Sequence, residues 1–143
     1  MAYSEQELLA RLIMCEAGGE GENGMRAVAS VVMNRARTDA GEYARISNGG
    51  NLYNIVFQPY QFECALDDNN GQNIHNMRPQ AIHYDIAEWA LGGGRLPVVD
   101  GALWFFNPYA ASCRGQFPSS VGEYAARIGD HCFYTPTAAY DKT

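Results

Sequence analysis

The chain has 143 residues, a length that suits one domain with a real core, and its 47% hydrophobic and 12% aromatic content marks a globular rather than a disordered protein. Sixteen Asp and Glu against ten Lys and Arg give a net charge of -6, and no basic run occurs, which argues against a nucleic-acid-binding protein. No stretch approaches the roughly 18 apolar residues of a membrane span, and "MAYSEQELLARL" lacks a positive region followed by a long apolar core, so no signal peptide is expected.

Ser4 and Glu7 form an S-x-x-E capping box, and Leu8, Leu9, Leu12 and Ile13 follow at helical spacing. This predicts a helix over 5–17, with Gly18 and Gly19 as left-handed stops. A second helix is expected over 23–37, with Ala27, Val28, Val31, Val32 and Arg35 as its stripe, apolar enough to be central. Residues 38–54 read as a loop with room for one helical turn. "IVFQPYQF" reads as a short strand or extended edge segment around Pro59, and "DDNNGQNIHNM" as a polar loop. Pro79 suits the first turn of a third helix reaching Leu91, with Ala81, Ile82, Ile86 and Trp89 inside and Gly92, Gly93 and Gly94 at its end. "GALWFFN" is the best strand pattern, closed by Pro108. A second box, Ser120 to Glu123, predicts a short helix through Ile128, and "HCFYT" a last strand. No repeat or linker divides the chain, so residues 1–143 are expected to form a single α+β domain, helices first and a small antiparallel sheet later.

Cys15, Cys64, Cys113 and Cys132 are scattered, with no C-x-x-C pair, which argues against structural zinc. Buried free thiols are the expectation; disulfides are compatible with the spacing but not implied by it. "DDNNG" fails the EF-hand register, because Gly71 falls one place early after Asp67 and no bidentate glutamate closes the loop. No cofactor or metal is expected.

The stretch "IMCEAGGEGENG" concentrates three glutamates and four glycines behind an apolar helix. Glu16 falls at the helix C-terminus, where the macrodipole disfavours a carboxylate, and Ile13, Met14 and Cys15 beside it favour desolvation. Both effects raise a carboxyl pKa, the condition for a general acid near neutral pH. On physics alone, a solvated helix-end glutamate and a presented acid both stay open.

"CEAGGEGENGMRAVASVVMNR" resembles the signature of the SleB/CwlJ-type cell-wall hydrolases, the spore cortex-lytic family: a helix ending in E-A-x-G-E, a short turn, then an A-V-A-x-V-x-x-N-R helix. "VFQPYQF", "GALWFFNP" and "IGDHCFY" follow in the family's order, so the resemblance spans about residues 8–134. It implies a lysozyme-like fold and a peptidoglycan glycan strand as partner, cut between N-acetylmuramic acid and N-acetylglucosamine. It also implies a protein made in the cytoplasm and acting at the cell wall or the spore coat and cortex. A phage or mobile-element role in lysis suits the chain equally.

By that resemblance the catalytic acid is Glu16, and Glu20 is the motif's second glutamate, supporting Glu16 by bonding backbone amides or simply favouring the next helix N-terminus. Glu22 has no counterpart and reads as a solvated turn residue. A lytic transglycosylase needs one carboxyl group, whereas an inverting hydrolase needs a second, ~6.5–9.5 Å away. Glu63, where the family more often has a small polar residue, is the candidate for that second role; a rim glutamate touching nothing is the alternative. Gln61, Phe62, Trp104, Phe106, Asn107 and His131 are candidates for the sugar-binding groove, since acetamido sugars offer apolar ring faces and amides. Core packing competes for Trp104, Phe106 and Phe62, and a buried structural role for His131. In a strand, Trp104 and Phe106 share one face and Phe105 and Asn107 the other. Two other classes compete: a non-catalytic glycan-binding coat or interaction protein, and a cysteine endopeptidase pairing Cys15 with His75, His83 or His131. The latter is disfavoured because a helix C-terminus opposes the thiolate.

Overall fold

Ser4 opens the first helix, its hydroxyl accepting the Glu7 N–H at 3.1 Å, while the Glu7 carboxylate pairs with Arg11 rather than closing the capping box. In the computed structural model, which describes residues 3–66, 71–114, 117–118 and 120–143, α1 spans Glu5–Ala17, as expected. Leu8, Leu9, Leu12 and Ile13 are all fully buried, each worth roughly 1.5–3 kcal/mol relative to exposure.

The turn after α1 differs in detail from expectation. Gly18 stays right-handed, and the left-handed position is Gly21 (φ 78°), which opens α2 (Gly21–Arg37) two residues earlier than the pattern predicts. Val28, Val31, Val32 and Arg35 form the buried stripe. This helix is central, touching α1, the later helices and the sheet.

Residues 38–54 hold more helix than expected: α3 spans Gly41–Ser47 and α4 Leu52–Val56. "IVFQPYQF" is not a strand. The Asn51 side chain caps α4 by accepting the Asn54 N–H at 3.2 Å, and Leu52, Ile55 and Val56 are buried at helical spacing. After the turn at Pro59 and Tyr60, Phe62 is extended and leads into a 3-10 turn, Glu63–Ala65. Asp67 to Asn70 of "DDNNG" lie outside the described residues. The helix α5, Ala81–Leu91, begins two residues after Pro79 and ends at Gly92, close to expectation.

Three strands form one antiparallel sheet in the order β1-β3-β2: β1 is Trp104–Phe106, β2 Gly122–Ile128 and β3 His131–Pro136. The predicted helix through Ile128 is therefore β2. The long β3 partner supplies its backbone hydrogen bonds, pairing Glu123 with Thr135 and Ile128 with His131, and a bulge between Tyr124 and Ala126 breaks the alternation that would have announced it. Phe105 pairs with Phe133 and faces the helical core, while Trp104 and Phe106 turn toward a smaller cluster around Cys113, Cys132 and Tyr134.

The expectation of free thiols is overturned. Cys15 is bonded to Cys64 and Cys113 to Cys132, because the fold brings their Cα atoms to 6.2 Å and 5.6 Å across separations of 49 and 19 residues. Among the described residues, no helix is long and apolar enough to cross a membrane.

Candidate active site

The last turn of α1 delivers Cys15 and Glu16 to the wall of a cleft of about 430 Å³. Arg35 of α2 lines it, as do Gln61, Glu63 and Cys64 at the 3-10 turn. Phe105, Phe106, Asn107 and Tyr109 of β1 and its following loop, with His131 of β3, complete the lining. A second hollow of about 530 Å³ shares Cys15 and Glu16 and is otherwise built from residues including Met14, Gly18, Gly19 and Met25, with Gln80 and His83 at the start of α5.

Glu16 is half-buried between these two spaces, and its Oε2 accepts the Cys64 backbone N–H at 3.2 Å. The disulfide to Cys15 fixes that donor to the residue next to the carboxylate. Burial pushes the Glu16 pKa above the ordinary 4.5; the Cys64 N–H opposes the rise, the nearby Glu63 charge adds to it, and Arg35 opposes it. The net effect is upward, which favours a protonated carboxyl group.

Arg35 was legible only as part of a helix stripe. It is 4% exposed, donates through Nε to the Leu103 carbonyl at 2.7 Å and through Nη1 to Gln61 Oε1 at 3.4 Å, and stacks on Tyr43 and Phe62. The signal that could have found it is the charge itself, one turn after Val31 and Val32 on an otherwise apolar face. A guanidinium buried without an ion pair among the described residues needs such fixed acceptors and ring faces.

Gln61 lines the cleft, and its Oε1 also accepts the Tyr43 hydroxyl at 3.0 Å. Phe62 lies beneath, buried against Arg35 and Phe105 rather than lining the cleft. Phe106 and Asn107 line it, and Asn107 Oδ1 accepts the Tyr109 N–H at 2.8 Å. Trp104 sits away from the lining, packed on Phe117 and Tyr140. Glu63 is an exposed lining residue.

Glu20 reaches across to the β2–β3 turn rather than bonding its own. Its Oε1 accepts the Asp130 N–H at 3.2 Å and lies 3.2 Å from His131 Nδ1, close enough for an ion pair but outside hydrogen-bond alignment. Burial lowers the His131 pKa, opposed by Glu20 and Asp130, so the imidazole is favoured neutral more than a free one. Gly129 makes room for Glu20: its φ is +58°, and a Cβ there would lie 3.1 Å from the carboxylate oxygens. Glu22 instead pairs with Arg26 on the α2 surface.

The cysteine-protease alternative fails on covalent structure, because Cys15 has no thiol to ionise. Among the described residues, no three His, Cys, Asp or Glu side chains converge as a metal site.

The sequence pattern of the family described as Cell Wall Hydrolase matches residues 19–134, starting just after Glu16. Two curated relatives match over most of the chain: the cell wall hydrolase CwlJ of Oceanobacillus iheyensis, 35% identical over 95% of this chain and 89% of its own, and CwlJ of Bacillus subtilis, 29% identical over 94% and 87%. Among solved structures, the catalytic domain of the germination-specific lytic transglycosylase SleB from Bacillus anthracis superposes with a TM-score of 0.67 at 26% identity, covering 94% of this chain and 98% of its own. The SleB catalytic domain from Bacillus cereus gives 0.66 at 26% identity, covering 94% and 93%. The fold is the α+β, lysozyme-like one expected, and the chain belongs to the cell wall hydrolase family.

Proposed function

We propose that this protein cleaves the glycan strand of peptidoglycan between N-acetylmuramic acid and N-acetylglucosamine, with Glu16 as the acid and then the base. The observation that carries the reading is Glu16 itself, a half-buried carboxyl group with a raised pKa between two hollows able to take sugar on either side. Its protonated carboxyl donates to the glycosidic oxygen. The bond from muramic C1 to that oxygen breaks, and the glucosamine chain leaves with a new 4-hydroxyl. The Glu16 carboxylate then takes the proton of the muramic 6-hydroxyl as its oxygen closes on C1, which yields a 1,6-anhydro end and restores the acid. The likeness to a protein described as a lytic transglycosylase supports this course.

A second course is favoured by the position of Glu63 in the same cleft. There Glu63 activates a water, and the product is a reducing end instead. Mass spectrometry of the muropeptides released from purified peptidoglycan decides: anhydro ends are expected, reducing ends assign the Glu63 course, and no products leave a glycan-binding module. Glu16→Gln should keep the fold and lower cleavage by ~10²–10⁴-fold. Near-parental cleavage by that variant would overturn the role given to Glu16.

A further inference from the structure

Two tyrosines combine features that rarely occur together. Tyr109 is 91% exposed and Tyr60 89%, the most exposed large hydrophobic side chains among the described residues. The same two hold left-handed backbone, at φ 54° and φ 64°, where bulky residues are strained. The third such non-glycine residue, Asn48, ends α3, an ordinary place for asparagine. Exposed turn positions of this kind normally fall to Gly or Asn, which adopt the conformation with less strain.

Tyr109 belongs to the cleft, and Tyr60 borders it in the chain without being part of its lining. Tyr109 lines it, and the Asn107 side chain holds its backbone N–H at 2.8 Å. Tyr60 immediately precedes Gln61, which lines the same cleft from the other chain segment. Neither ring stacks on another aromatic among the described residues, so core packing does not explain either. Strain retained at a ligand-facing position points to a ligand, because the surrounding structure must over-determine it.

We propose that Tyr109 and Tyr60 form an aromatic clamp that stacks on the pyranose faces of the glycan strand at the mouth of the cleft, Tyr109 being the principal contact. Both rings stand in solvent, Tyr109 at the cleft itself, and are free to meet a strand laid there. A pyranose presents a face of C–H groups to an aromatic ring while its hydroxyls stay in water. The clamp rests on the glycan-strand reading and adds binding residues to it; the rings hold the strand and move no proton. It also gives Asn107 a positioning role, through the turn that presents Tyr109.

The test uses the full chain carrying Glu16→Gln, so that substrate survives, and insoluble peptidoglycan sacculi in a pelleting titration. Adding Tyr109→Gly should weaken binding about 5- to 10-fold, and Tyr60→Gly less. Tyr109→Phe, which keeps the ring, should recover most of the loss. The thermal midpoint should hold steady or rise in Tyr109→Gly, since glycine relieves the backbone; a ring that served packing would lower it. Unchanged binding in Tyr109→Gly, or a loss that tracks a fallen midpoint, overturns the clamp alone. Failure of the Glu16→Gln parent to bind sacculi overturns the glycan reading and the clamp together.

Discussion

The two disulfides have the same chemistry and different settings. Cys15–Cys64 lies in the cleft wall and joins the residue beside Glu16 to the residue whose N–H holds the Glu16 carboxylate. Cys113–Cys132 lies in the small aromatic cluster, tying the loop after β1 to β3 where Tyr134 donates to the Cys113 carbonyl at 2.6 Å. One bond constrains the proposed catalytic acid, and the other constrains packing. A cross-link of similar thermodynamic weight can therefore matter to catalysis or only to folding, according to which atoms it fixes.

Removing each bond separately is the strongest way to break this contrast. Loop-closure entropy assigns about 4 kcal/mol to the longer link and about 3 kcal/mol to the shorter, so thermal denaturation should show comparable losses. Activity should diverge. Cys15→Ala with Cys64→Ala should cleave peptidoglycan about 10-fold more slowly or worse at a temperature where it remains folded, because small misplacements of a reacting group are costly. Cys113→Ala with Cys132→Ala, also folded, should stay near the parental rate. Equal losses of rate in the two variants would erase the distinction.

A smaller effect probes the link between the sheet and the cleft. Gly129→Ala forces a side chain into left-handed backbone and against the Glu20 carboxylate, a cost of about 1–2 kcal/mol, or roughly 3–8 °C in the thermal midpoint. Circular dichroism should record that fall with far less loss of rate than the Cys15–Cys64 variant shows. An unshifted midpoint would mean the Glu20 contact does not bind the hairpin to α2.

The smallest effect is a pH dependence at the cleft, where burial raises the Glu16 pKa. The folded state then resists losing this proton more than the unfolded chain does. Its contribution to stability is fully present below pH 4.5 and is lost as pH rises through the higher folded value. Glu16→Gln, which cannot ionise, should match the parent below that pH and become relatively more stable above it. Urea denaturation on both sides of pH 4.5 measures this, and a constant gap between the two proteins would contradict it.

The helical half was legible in sequence because its local signals agree with its tertiary role. Ser4 caps α1, and the apolar spacing of α1 and α2 marks the faces that are buried, whereas in α5 Ala81 and Ile82 are exposed and Ile86 is buried with His83, Ala87 and Ala90. The sheet half was harder. Ser120 and Glu123 imitate a helix start, the bulge hides the alternation of β2, and only pairing with β3 decides the outcome. Pairings of cysteines 49 and 19 residues apart have no local signature. In the cleft, Glu16 could be named from its helix end and its motif, but Arg35 was masked by its place in a stripe. Tyr60 and Tyr109 were hidden because strain is a property of backbone angles, which residue names do not carry.

The two hollows that share Glu16 and Cys15 as a common wall bear on how a long substrate is reached. An acid at the closed end of a pocket accepts only the terminus of a chain, which must be found and threaded. Glu16 instead lines a hollow on each flank, so the proposed reaction predicts a cut within the strand. Such an enzyme is endolytic: its first products are long fragments, and a cross-linked wall is weakened early, before much material has been released.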